Sequence, residues 1–189
     1  MIQLLRNLWG SRGGTAAIEF AFALPVLLVM FMGVFEVSQA LIVYMKVIDV
    51  ADTVSDLIAQ QKQVASSDIN NYYVAGQLVM TPSAGSGLGL YVASVTFDPN
   101  NGNPSVAWEA TRGGAAAMTN TAAAAAATGL GNACQSANTS PCDSVIVAQA
   151  SYTYNSALSY LIQNAISMSA TVFSRPRVVF TIPCTAPCT

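Results

Sequence analysis

Glu19 is the side chain whose type and position most demand a chemical use. It stands five residues after Gly14 and directly ahead of residues 20–35, a run in which every residue is apolar, glycine or proline. A carboxylate at the mouth of such a run is costly if it enters hydrocarbon, and a nearby cation offsets that cost. The chemistry on offer is therefore ion pairing or recognition at a membrane edge, against the plainer reading of a glutamate hydrated among lipid headgroups. The next charge is Glu36, seventeen residues further on. A helix would separate the two carboxylates by roughly 26 Å, placing each near one face of a bilayer. Glu36 reads as the far edge of the membrane, as a contact to another subunit, or as a simple interface residue.

Catalysis finds little material elsewhere. The chain has no histidine, so no Ser-His or Cys-His pair can be built and no imidazole ligand exists. Asp49, Asp52 and Asp56 recur at helical spacing, the pattern of a solvated face rather than of acid–base work. Gly85-Ser86-Gly87-Leu88-Gly89 has glycine spacing without a lysine or a strand-to-helix context, so phosphate binding is not supported. No enzyme activity, cofactor or metal is expected. Net charge −2, with 8% charged and 53% hydrophobic residues, excludes the concentrated basic patch of a nucleic-acid binder.

The four cysteines, Cys134, Cys142, Cys184 and Cys188, all follow the apolar run. If the leader is cytoplasmic they face an oxidising compartment, where disulfides persist. Of the three pairings, Cys134–Cys142 with Cys184–Cys188 is favoured because each closes only a short loop. A zinc site is the competing use of four cysteines, but the spacing lacks the two-residue gaps of zinc knuckles.

These residues must be positioned by a few elements. Residues 1–14, with Arg6 and Arg12 and no acidic residue, read as a basic, cytoplasmic leader. Residues 15–41 read as a transmembrane helix, bent or loosened by Pro25. Val43, Val47, Val50, Val54, Leu57 and Ile58 continue a helical stripe, so residues 42–65 read as an amphipathic stalk and the helix as one rod over about residues 16–63. Residues 66–189 read as an α+β head, an antiparallel sheet against the stalk. Within it, residues 90–97 and 106–110 form a hairpin around the turn formers of 98–104. Residues 112–142 read as an alanine-rich variable loop with one helical turn-set, tied by the Cys134–Cys142 pair, and residues 143–154 as a third strand. Residues 157–167 read as a short amphipathic helix and residues 170–182 as the last strand. Arg175-Pro176-Arg177 reads as a solvated turn or strand edge rather than a binding patch.

The basic leader, Gly14, Glu19 and the apolar run resemble the processing site of type IV prepilins. Gly14-Thr15-Ala16-Ala17-Ile18-Glu19-Phe20-Ala21, then Leu24-Pro25, an aliphatic run, Gly33 and Glu36, resemble more narrowly the TadE-like minor pseudopilins of the tight-adherence (Tad/Flp) pilus system. The resemblance is specific over residues 11–40, with a weaker echo in Tyr152, Tyr154 and Ser174-Arg175-Pro176-Arg177. It implies cleavage by a prepilin peptidase between Gly14 and Thr15, with Glu19 and Phe20 in recognition and assembly. Glu19 would pair with the new α-amino group of a neighbouring subunit. Thr15 departs from the phenylalanine that starts many mature pilins. The resemblance also implies a single-pass bacterial inner-membrane protein with a periplasmic head, drawn into an extracellular pilus for adherence. Its partners would be the peptidase, the inner-membrane assembly platform, other pilins and membrane lipid. Two rivals stay open: a secreted domain cut by signal peptidase after Ser38-Gln39-Ala40, and a permanently anchored binding module.

Overall fold

A computed structural model describes residues 14–83, 85–114, 118–133, 141, 143–156, 158, 162–185 and 188. The leader before Gly14, and Cys134 and Cys142 with their expected pairing, lie outside the described residues. Helix α1 (Gly14–Ala59) runs unbroken through Pro25. Its first part, residues 14–35, is exposed apart from a half-buried Gly33. From Glu36 onward one stripe is buried: Val43, Val47, Val50, Val54 and Ile58 repeat at three- and four-residue steps, which keeps them on one helix face.

That stripe lies on a four-stranded antiparallel sheet of order β2-β1-β3-β4, formed by β1 (Leu88–Phe97), β2 (Pro104–Arg112), β3 (Ser144–Tyr154) and β4 (Ile166–Ser174). The architecture is α+β, as the sequence predicts. The central strand β1 pairs β2 from Leu90↔Arg112 to Phe97↔Pro104, with a register shift at Ser94/Val95. It pairs β3 from Leu88↔Tyr152 to Thr96↔Ser144. Alternation along β1 divides its side chains between two layers. Leu88, Leu90 and Val92 join the α1 stripe with Ile146, Ala150 and Met168. Val95 and Phe97 pack with Val145, Val147 and Ala127, and Tyr91 and Ala93 pack with Ala123. The second layer is closed by the short helix α3 (Asn120–Ala126), whose N-cap Thr119 accepts a hydrogen bond from the Ala122 N–H. Burial, then the nearby Glu109 charge and a hydrogen bond to it, push the Tyr91 phenol well above its ordinary pKa.

Three expectations are corrected. The first helix ends at Ala59 rather than near residue 63, because the Arg177 N–H takes its last carbonyl at 2.8 Å. A second helix, α2 (Ser66–Val79), then begins where the Asp68 carboxylate accepts from the Ala65 N–H at 2.9 Å. It lies so close to α1 that a Cβ on Gly76 would stand 3.0 Å from Val50 Cγ1. The predicted helix over residues 157–167 is absent among the described residues of that stretch: 158 and 162–165 are irregular, and β4 already starts at Ile166. The last strand accordingly spans Ile166–Ser174, and residues after it form a strap rather than a strand.

The strap ties the far end of α1 to the sheet. Val64 pairs with Cys184 in an isolated parallel bridge, and Cys184 is joined to Cys188 by a disulfide. Both sulfurs are thereby removed from any four-cysteine zinc arrangement. Arg177 forms an ion pair with Asp56, Trp108 donates to the Ile182 carbonyl at 2.7 Å, and Ser144 donates to that of Phe180 at 2.7 Å. Arg175 holds Asp143 at 3.1 Å and also donates to the Leu130 carbonyl. Both arginines thus act as internal fasteners.

The loop after α3 offers a sharp test of the second layer. An added Cβ at Gly131 would fall 2.1 Å from Phe97 Cδ2, and Phe97 is buried and cannot swing away. Gly131→Ala is expected to lower unfolding free energy by about 1–3 kcal/mol. Equilibrium denaturation that leaves the midpoint unmoved would show the loop yields freely.

Candidate functional site

Among the described residues Glu36 is the one charged side chain that is buried, at 2% exposure. It sits on α1 where the exposed apolar part gives way to the stripe covered by the head. The connector between β3 and β4 supplies its partners. Ser156 Oγ donates to Glu36 Oε1 at 3.0 Å, and the Ile162 N–H donates to Glu36 Oε2 at 3.0 Å. Strands β3 and β4 are neighbours, paired from Ile146↔Ser174 to Tyr154↔Ile166, so their connector must emerge at one end of the sheet. The α1 stripe fixes which turn of the helix meets that end. A carboxylate with hydrogen-bond donors on both oxygens can be held away from water at far lower cost than a bare one.

Glu36 is therefore a fastener between helix and head within one chain. The sequence reading of Glu36 as a membrane-edge marker or a contact to another subunit missed this role. The only advance signal was its place at the end of the apolar run.

The other sequence-derived residues lie elsewhere. Gly14 is the first residue of α1, followed by Thr15, and a Cβ on Gly14 would meet nothing within 4 Å. Glu19 is exposed one turn later, and Phe20 beside it is 60% exposed. Neither touches the sheet. Pro25 lies inside the helix between them and Glu36. Asp49 and Asp52 face solvent, and Asp56 is taken by Arg177. Among the described residues no group of three or more acidic or cysteine side chains could hold a metal ion.

The most apolar 18-residue window of α1 has a mean hydropathy of 2.3, and none of it is buried by the protein. By length and composition the helix suits a single membrane crossing. The head hangs on its second half, and the Glu36 clamp stands at the junction.

Removing the carboxylate would take from the Ser156 hydroxyl and the Ile162 N–H the acceptor each has at 3.0 Å. Glu36→Ala is expected to destabilise the head by about 3 kcal/mol and to expose the connector. Denaturation and limited proteolysis in detergent would register both changes. A variant as stable and as protease-resistant as the parent would show that the clamp contributes nothing.

No curated protein and no solved structure matches the chain. Residues 14–56 match the family model described as TadE-like protein. The match opens on Gly14 and takes in both glutamates and nearly all of α1. The N-terminal helix of this chain is thus similar to the TadE-like family, a likeness confined to residues 14–56 and consistent with a protein of the Tad pilus system.

Proposed function

We propose that the protein is a minor pseudopilin: a single-pass membrane subunit cut by a prepilin peptidase and recruited into a Tad-type pilus. The observation that carries this reading is the unbroken α1, which starts at Gly14, presents a bare apolar half and coincides with the TadE-like match. Hydrolysis of the Gly14–Thr15 peptide would free an α-amino group at Thr15. Glu19 lies one turn beyond it, exposed at the same end of the helix. In a bundle of such helices, the Glu19 carboxylate of one subunit and the Thr15 ammonium of the next would select axial register. Each would otherwise stand as a lone charge at a lipid boundary. Other pilins and the inner-membrane assembly platform are the partners this implies, with the head on the periplasmic side and Cys184–Cys188 in an oxidising compartment.

Glu36 also weighs against a secreted domain. Cutting after Ala40 would remove Glu36 from the head, leaving the Ser156 hydroxyl and the Ile162 N–H without it. It would also break α1 just before its buried stripe.

The N-terminal sequence of the mature protein from its native membrane tests the central step, with Thr15 expected as the first residue. Gly14→Val is expected to leave the leader attached while the head folds normally, since a side chain there meets no neighbour. An intact Met1 in the parent, or normal processing in the variant, would overturn the proposal. Glu19→Ala is expected to leave expression and head stability unchanged and to depress pilus assembly roughly tenfold or more. Normal pilus yield in that variant would reduce Glu19 to a hydrated interface residue.

A further inference from the structure

The apolar surface of α1 does not stop at Glu36. Val37, Leu41, Tyr44 and Met45 are all exposed, and on that side the first charges come only at Lys46 and Asp49. Exposed apolar surface therefore runs over residues 20–45, roughly 38 Å of helix against ~30 Å of hydrocarbon. With Glu19 at one boundary, ~30 Å of helix ends near residue 39, and a headgroup layer reaches the mid-forties. Glu36 then falls inside the outer edge of the hydrocarbon. A bare carboxylate is disfavoured at that depth, yet this one is wrapped by Ser156 and Ile162 of the head.

Beside the clamp the described surface is uncharged, with the amides of Asn155, Gln163 and Asn164 exposed alongside apolar side chains. Leu158 and Ile166 are exposed there. Ile162 and Ile166 line an open groove of about 490 Å³ with Leu41 and Tyr44 of α1. No residue lining that groove is charged. Lys46, the nearest cation along the helix, is directed to the carbonyls of Met80 and Thr81 at the end of α2.

We infer that the head is seated in the bilayer surface: the collar formed by Val37, Leu41 and Tyr44 of α1 with Ile162 and Ile166 is a lipid-binding surface. The occupant is membrane lipid because the collar continues the membrane-crossing face without a charged break and lies at the depth that face dictates. Tyr44 suits that depth, with a ring for the acyl boundary and a hydroxyl for the headgroups. The Glu36 clamp is what lets the head sink so far, since it delivers the carboxylate already hydrogen-bonded. The inference needs only that α1 crosses a bilayer and stands apart from the role proposed in the pilus.

The test uses the full chain in phosphatidylethanolamine–phosphatidylglycerol vesicles, with Tyr44→benzoylphenylalanine and Ile166→benzoylphenylalanine made separately. Phe31→benzoylphenylalanine serves as the probe inside the membrane. Phe180→benzoylphenylalanine serves as the distal probe, 78% exposed on the strap beyond the far end of α1. After irradiation, intact-mass analysis is expected to show phospholipid adducts at Tyr44 and Ile166 comparable to those at Phe31 and roughly tenfold above Phe180. Yields at Tyr44 and Ile166 as low as at Phe180 would overturn the inference, placing the head clear of the bilayer. Covalent dimers in place of lipid adducts would also overturn it, assigning the collar to a second copy. The two probes lie on different elements, so a local distortion at one leaves the other readable. Lipid adducts lacking even at Phe31 would refute the membrane crossing, and the inference with it.

Discussion

The fold depends on a constraint at Glu36: a carboxylate at the end of an apolar helix must find donors, and water is not at hand. Ser156 and the Ile162 N–H meet that requirement at 3.0 Å each. They belong to the head, so satisfying the carboxylate and docking the head are one event. At the other end of the buried stripe, the Arg177 N–H takes the Ala59 carbonyl and the Arg177 guanidinium takes Asp56. These two fasteners lie roughly 34 Å apart along the helix. Between them the contact is apolar, through Val43, Val47, Val50, Val54 and Ile58. Burial supplies the driving force, which is indifferent to register, while the polar ends choose the register.

A sheet that covers a helix on one face still has a second face to hide. Here that face is closed by material of low apolar content: the alanines of α3 and the loop around Gly131. Alanine buries little area, so the second layer depends on close approach, as the ring of Phe97 against Gly131 shows. Arg175 draws that loop in through the Leu130 carbonyl and Asp143. The C-terminal strap therefore acts on both layers, holding α1 with Arg177 and the opposite loop with Arg175. The disulfide at Cys184–Cys188 lies beside the bridge to Val64 and restrains the strap where it crosses the α1–α2 connection.

Some of this was legible in the sequence for a plain reason. The stripe of α1 has a helical period over several turns, and the hairpin of β1 and β2 is marked by a dense cluster of turn formers in residues 98–104. The TadE-like segment was legible because its pattern is local, confined to residues 14–56. Helix α2 was missed because the residue ahead of it, Ala65, offers no side-chain cap and its span mixes asparagines with Gly76. Its stability comes from packing on α1, which propensity does not register. Strand β4 carried a signal that was overlooked: Ile166, Met168, Ala170 and Val172 alternate with Ser167, Ser169 and Thr171. The partners of Glu36 could not be read, because its donors lie 120 and 126 positions away.

On the role proposed for Glu19, the two helix glutamates divide the work between folding and assembly. A carboxylate whose oxygens are already engaged inside its own chain has little left to offer a neighbour. Glu36, buried under the connector, is spent in that way. Glu19 lies outside the reach of the head, exposed and, among the described residues, without an ion-pair partner. The head can thus fold and dock while the subunit is still a lone membrane protein, since nothing in its core requires Glu19. Coulombic attraction at Glu19 gains strength only as neighbouring helices displace water and headgroups, because the same pair is weak in high dielectric and strong in low. On the role proposed for it, Glu19 would then contribute little to a stored monomer and most to a packed bundle. Under that proposal, a subunit kept in the membrane until recruitment would need that order of events: a head completed first by Glu36, and a Glu19 carboxylate still exposed when a partner arrives.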